Sequence, residues 1–283
     1  MNPSNGPPRE DVGAYGLKVQ GISDRMRAHL GSAGRAWPSI LLKAGTSDST
    51  AEDVTFTDER ARVPIPGGGE IVVERSPLVG EVSLPSRPQD AELLHPYLGY
   101  VGVMAARWLG RDCVHGGAFV LDGGAWACVG QRGTGKSSLL GWLAGDGFDI
   151  VCDDVLIVRE QSLFAGPRFV DLRADAAERL GGGEALGMVG ARERWRVPLP
   201  PTRPELPLRG WIFLDWGAEA IVERVGPAET MMQIKEQLSL FTTPRDPVAL
   251  LDLAALPAWR FSRTRDWQSM PTAVRTLLDT LGR

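Results

Sequence analysis

The run Gly130-Gln131-Arg132-Gly133-Thr134-Gly135-Lys136-Ser137 has the residue types and spacing that hold a polyphosphate, the Walker A pattern. Glycines let the backbone curl until successive N–H groups point inward at phosphate oxygens. Lys136 supplies a mobile cation for the β- and γ-phosphates, and the Ser137 hydroxyl is a ligand for Mg²⁺. A helix starting at this point adds its N-terminal partial positive charge. The apolar residues 126–129 read as a strand entering the loop, and Ser138-Leu139-Leu140 read as the start of a helix leaving it. Residues 130–138, Ser138 included, are therefore the expected nucleotide-binding residues, with ATP and Mg²⁺ as cofactors.

Asp153 and Asp154 stand at the end of the strand expected over residues 148–152. A carboxylate at the carboxyl edge of a strand, close to a phosphate loop, is placed to order Mg²⁺. Two adjacent carboxylates suggest two jobs: one orders the metal, the other accepts a proton from an attacking hydroxyl. Neighbouring side chains in extended chain face opposite ways, so the pair is not expected to share one role. His115-Gly116 lies just upstream of a strand leading toward the loop, whereas His29 and His95 have no comparable context. Arg173 and the run Arg192-Glu193-Arg194-Trp195-Arg196 are candidates to stabilise charge on a transferred phosphoryl group, although pairing with local acids is the commoner use of such arginines. None of the nine tryptophans is assigned a role.

His115-Gly116, the loop at 130–137, and Gly147-Phe148-Asp149-Ile150-Val151-Cys152-Asp153-Asp154 follow in the order and at the intervals of the catalytic domain of HPr kinase/phosphorylase, which residues 112–160 resemble. The rest of the chain resembles the shorter HPr-kinase-like proteins of bacterial biosynthetic clusters, including kinases that modify lasso-peptide precursors. The resemblance implies an active site containing His115 and Lys136, with Ser137 binding Mg²⁺ and Asp154 accepting the proton. Asp153 is then the metal-ordering acid beside Ser137. The glycine-rich signature that follows the aspartate pair in that family is not recognisable here. Gly166-Pro167-Arg168-Phe169-Val170-Asp171-Leu172-Arg173 occupies its place, and the N-terminal part is shorter. These departures argue against HPr as the acceptor and leave the reverse, phosphorolytic activity open.

The elements that must position these residues imply an α/β fold: a P-loop sheet of the HPr kinase type with a small β-rich N-terminal part. Residues 1–12 read as a disordered tail, rich in Asn, Ser, Gly and Pro. Residues 13–88 read as the β-rich part, with strands at 15–20, 39–43, 53–57, 71–74 and 78–84 and a short helix within 21–30. Residues 89–283 read as the catalytic domain. There a helix over 90–109 starts near Pro96, and strands 118–121 and 126–129 flank the turn Asp122-Gly123-Gly124. The helix after the loop spans 137–144, and a strand follows at 155–158. Helices are expected at 174–180 and 230–240, a strand at 211–214, a loop from Pro198 through Pro207, and a closing helix over 266–281 broken near Pro271.

With 283 residues the chain is large enough for a substantial core, and its net charge of -4 gives no global attraction for nucleic acid or anionic membrane. Cys113, Cys128 and Cys152 lie in apolar stretches without metal-ligand spacing and suit a reducing compartment. The first residues lack a secretory apolar core, and no apolar run approaches the roughly 20 residues that span a bilayer. The expectation is a cytoplasmic ATP-dependent kinase of a peptide or protein hydroxyl, a ribosomally made natural-product precursor being one candidate acceptor. No nucleic-acid or membrane partner is expected, and homo-oligomerisation is left open. A small-metabolite kinase of the same fold and a non-catalytic nucleotide-binding regulator are the competing readings; the spare carboxylate in Asp153-Asp154 speaks against the second.

Overall fold

A computed structural model describes residues 10–189, 192–241 and 246–282. The expected tail at 1–12 therefore falls mostly outside the described residues, but its last residue does not: Val12 opens the first strand. That strand, β1 (Val12–Ala14), is followed by β2 (Leu17–Gln20), α1 (Asp24–Arg27), β3 (Gly31–Ser32), β4 (Ser39–Thr46), β5 (Thr55–Phe56), β6 (Arg60–Pro64), β7 (Glu70–Glu74) and β8 (Val79–Leu84). The eight strands make one sheet in the order β3-β1-β2-β4-β8-β7-β6-β5. Alternation drives it: in β7 Ile71 and Val73 are buried while their neighbours are partly exposed. β1, β3 and β6 went unrecognised because two are very short and β6 carries Arg60 and Arg62 on its wetter face.

The expected helix over 90–109 is interrupted. It comprises α2 (Asp90–Glu92), an irregular turn and α3 (Leu98–Trp108), and His95 inside the turn has extended backbone, φ -152° and ψ 126°. Pro96 thus follows a break in the chain instead of opening a single helix. α3 is apolar around most of its circumference, as a helix sandwiched between layers must be. It packs on β7 on one side and on strands of a second sheet on the other.

That second sheet contains β9 (Asp112–Leu121), β10 (Gly124–Val129), β11 (Ile150–Cys152), β12 (Val155–Arg159), β13 (Ser162–Phe164), and, later in the chain, β17 (Glu205–Trp216), β18 (Ile221–Val225) and β19 (Ala258–Arg263). A separate three-stranded sheet, in the order β14-β16-β15, is made by β14 (Phe169–Leu172), β15 (Glu184–Val189) and β16 (Arg192–Pro198). The helices beyond α3 are α4 (Lys136–Gly145), α5 (Ala174–Arg179), α6 (Pro227–Glu236), α7 (Pro247–Ala254) and α8 (Met270–Leu281). The architecture is mixed α/β with several sheets.

Two long strands organise the second sheet. β9 pairs with β12 through its first half and with β10 through its second. β17 pairs with β13 at Glu205, Leu206 and Pro207, then runs parallel to β10 from Leu208 and parallel to β19 from Trp211. Pro207 therefore lies inside a strand, contrary to the loop expected there. It sits where β17 leaves one neighbour for the next, a position that tolerates the missing N–H. Pro271 likewise does not break the closing helix but occupies its first turn, as Pro227 and Pro247 do in α6 and α7.

Leu139, Leu140 and Leu143 of α4 and Val274 and Leu277 of α8 share one core cluster with Ile212, Leu214 and Phe261 of the sheet. Ile234 of α6 and Leu250 and Leu253 of α7 share another with Ala127, Trp211 and Phe213. The parallel strands β10, β17 and β19 are thus covered on both faces, as parallel strands require. A third cluster joins the first sheet and α3 to Cys113, Val155, Ile157 and Phe164, so packing is continuous across position 88. Arg111 adds a polar tie, donating to the carbonyls of Tyr15 (3.2 Å) and Gly16 (3.1 Å) while its guanidinium lies over the Phe164 ring. Among the described residues no helix is long and apolar enough to cross a membrane.

Candidate active site

The loop from Gly130 leaves the carboxyl end of β10, the edge at which open parallel sheets present ligand sites. Gly133 (φ +92°) and Gly135 (φ +77°) adopt left-handed backbone that other side chains resist. A Cβ on Gly135 would also come within 2.7 Å of the Arg263 guanidinium and 3.0 Å of the Trp216 ring. Those two residues hold the loop from behind. Trp216 Nε1 donates to the Gly133 carbonyl at 3.0 Å, and Arg263 Nη2 donates to the carbonyls of Thr134 (2.9 Å) and Gly135 (3.1 Å). The Thr134 hydroxyl donates to the Gln131 carbonyl at 2.8 Å. With these carbonyls held on one side, the first N–H groups of α4, which have no helical partner, remain for a ligand.

Arg263 is buried, its guanidinium 4.5 Å above the Trp216 ring, and its Nε and Nη1 find no hydrogen-bond partner among the described residues. Burial pulls its pKa down to about 10, so it is still a cation at neutral pH. Neither residue figured in the sequence reading. We expect Arg263→Met to weaken ATP binding by about tenfold, roughly 1.4 kcal/mol, because the carbonyls lose their fixed orientation. Calorimetric titration checks this, and wild-type affinity in the variant would show that the clasp is only structural.

Lys136 is buried at the cavity floor and donates to the carbonyls of Gly130 (2.7 Å) and Gln131 (3.4 Å). The Ser137 hydroxyl donates to Asp153 Oδ1 at 3.2 Å. Burial, then the neighbouring Asp154 charge, push the Asp153 carboxyl up to about 6, and the Ser137 hydrogen bond opposes them. Asp154 turns the other way. Its Oδ1 is 3.5 Å from His115 Nδ1 and its Oδ2 is 4.0 Å from His95 Nδ1. The two aspartates do face apart, but for a different reason than strand alternation. They lie in the break between β11 and β12, and Asp154 has φ +77°, a conformation that costs a non-glycine residue of order 1–3 kcal/mol.

Burial, then the Lys136 charge, lower the His115 pKa, with the Asp154 charge opposing, which favours the neutral imidazole beside that carboxylate. His95 belongs to the site as well, which corrects the expectation that it lacks context. The break before α3 swings it over Asp154, and nothing in local spacing announces that.

These groups line one cavity of about 900 Å³. His115, Arg132, Gly133, Gly135, Lys136, Ser137, Ser138, Asp153 and Asp154 all reach it, while Gly130, Gln131 and Thr134 serve the loop's own backbone. The first sheet contributes Pro66, and the third contributes Arg192 and Arg194, with Arg173 at its edge. Arg196 does not reach the cavity. It is buried and forms a two-pronged pair with Asp171 at 2.8 and 2.7 Å, which removes it from the phosphoryl-stabilising candidates. Among the described residues no three His, Cys, Asp or Glu side chains converge as a metal-ligand set.

No family model matches the chain, and no curated protein matches it. Among solved structures it is similar to the HPr(Ser) kinase/phosphatase from Coxiella burnetii, at 12% identity over 61% of this chain and 99% of that one, with a TM-score of 0.31. At that level the likeness carries no argument about activity.

Proposed function

We propose that this protein is an ATP-dependent kinase that phosphorylates a serine or threonine hydroxyl of a peptide or protein, a ribosomally made natural-product precursor being one acceptor of that class. The observation that carries the reading is the division of labour in Asp153-Asp154. One carboxylate meets the hydroxyl that follows the loop lysine. The other is turned to two histidines in the same cavity. A protein that only senses a nucleotide has no use for the second, strained carboxylate.

Residues 130–138 hold the triphosphate in this reading, with Lys136 on its β- and γ-phosphates. Ser137 and Asp153 offer hard oxygen donors 3.2 Å apart, a set that suits Mg²⁺ completed by phosphate oxygens and water. When bound, the ion would neutralise charge on the transferred group. The protein's remaining work is positioning. Asp154 accepts the acceptor's hydroxyl proton, and neutral His115 with His95 fixes the orientation of that carboxylate.

Transfer of label from ATP to a serine- and threonine-containing peptide pool is expected to stop in EDTA and return with Mg²⁺ or Mn²⁺. Asp153→Asn is expected to raise the Mg²⁺ requirement. In the unsubstituted protein that requirement also rises below about pH 6, where a proton competes for Asp153. Full transfer in chelator would contradict the metal assignment.

A further inference from the structure

The third sheet carries an internal comparison. In the register of β14 and β16, Asp171 stands opposite Arg196, and the two form the buried ion pair described above. Leu172 stands opposite Trp195, where the pairing of the two strands ends, and Arg173 follows as the residue that caps α5. On the other side of β16, Arg194 is paired with Gly187 and Arg192 with Val189. Positions 192, 194 and 196 share a face of the strand. One guanidinium of that face thus has its acid, whereas the next two have only a glycine and a valine as cross-strand neighbours.

Like charges held close together repel, and Arg173 and Arg194 both act on Arg192. Arg132 of the phosphate loop adds to the crowding. Partial burial, then the charges of Arg132, Arg173 and Arg194, hold the Arg192 guanidinium below its ordinary pKa. Among the described residues none of these four arginines forms an ion pair, and Arg194 Nε is shielded from solvent without a hydrogen-bond partner. Asp175 lines the same cavity but pairs with none of them, and Glu193 alternates to the opposite face of the strand. All four arginines face the cavity that contains Lys136 and Asp154.

We infer that Arg173, Arg192 and Arg194 form a second anion site in this cavity, which binds a carboxylate or phosphate group of the acceptor beside its reacting hydroxyl. The inference rests on the reading of residues 130–138 as the nucleotide site. There the triphosphate already has backbone N–H groups, Lys136 and a metal as partners, whereas Arg192 and Arg194 lie on a strand of a different sheet and Arg173 just past the end of the strand beside it. Guanidinium forks match the oxygens of carboxylate and phosphate. An anion fixed there would hold the acceptor in register with Asp154, the positioning that phosphoryl transfer chiefly needs. The acceptor class is therefore an anionic one, such as a serine or threonine in an acidic segment.

The test uses inorganic phosphate as the probe, titrated calorimetrically at low ionic strength into the full chain. Lys136→Ala removes the loop site, and phosphate is expected still to bind. Adding Arg192→Gln and Arg194→Gln is expected to weaken that binding by about tenfold or more without lowering the thermal midpoint, since two mutually repelling charges are gone. In the unsubstituted protein saturated with Mg²⁺ and a non-hydrolysable ATP analogue, phosphate is expected to bind as well. The inference is overturned if phosphate does not bind the Lys136→Ala protein, or binds it equally with and without the two arginines. It is also overturned if the analogue abolishes phosphate binding, because the arginines then serve the nucleotide's own phosphates. Failure of the unsubstituted protein to bind the analogue would instead defeat the nucleotide-site reading and leave the arginine result to stand by itself.

Discussion

Asp154→Asn is expected to lower the turnover of phosphotransfer by about 10²–10⁴-fold, the usual contribution of a general base, while leaving ATP affinity unchanged. The substitution keeps the shape of the side chain and removes its ability to accept a proton. Among the described residues no hydrogen bond or ion pair joins Asp154 Oδ1 or Oδ2 to the loop, Lys136 or the Arg263–Trp216 clasp, so the substitution leaves the nucleotide's own contacts in place. Steady-state phosphotransfer together with calorimetric ATP titration separates the two effects. Near-full turnover, or a loss of ATP binding comparable to that of a loop variant, would remove Asp154 from the role of base.

Lys136→Ala should do the reverse. It deletes a charge-assisted contact worth roughly 1.5–3 kcal/mol, so the ATP dissociation constant is expected to rise about 10–150-fold. The ammonium also ties the carbonyls of Gly130 and Gln131, so its removal loosens the loop that presents the remaining donors. ATP binding at wild-type affinity would show that residues 130–137 are a glycine-rich turn with a different purpose.

The turn between β10 and α4 was legible because its residues are contiguous. Eight consecutive residues supply the glycines, the cation and the hydroxyl, and the flanking apolar runs give the strand and helix around them. The pair at 153 and 154 was legible by position at a strand end, although the backbone break that turns the two carboxylates apart was not. The clasp was out of reach. Trp216 and Arg263 arrive beside the loop because β17 runs parallel to β10 and β19 runs parallel to β17, pairings that bring Val129 to Phe213 and Trp216 to Arg263 across long sequence separations. His95 was hidden by a helical pattern that continues through its own interruption. Pro207 misled because the rule against proline in strands assumes a strand with the same neighbours throughout, and β17 exchanges one neighbour for another at that residue. Among the arginines at 192–196, sequence alone could not distinguish the residue paired with Asp171 from the two facing the cavity, since only cross-strand register separates them.

The central claim is that the cavity moves a phosphoryl group from ATP to a hydroxyl. The most direct measurement follows γ-labelled ATP with Mg²⁺ into a pool of serine- and threonine-containing peptides, with the unsubstituted protein and with Asp154→Asn side by side. The account predicts acid-stable label on peptide hydroxyls with the unsubstituted protein and a loss of that label with the variant, both proteins binding ATP equally. Tight ATP binding by both proteins with no label transferred by either would contradict it.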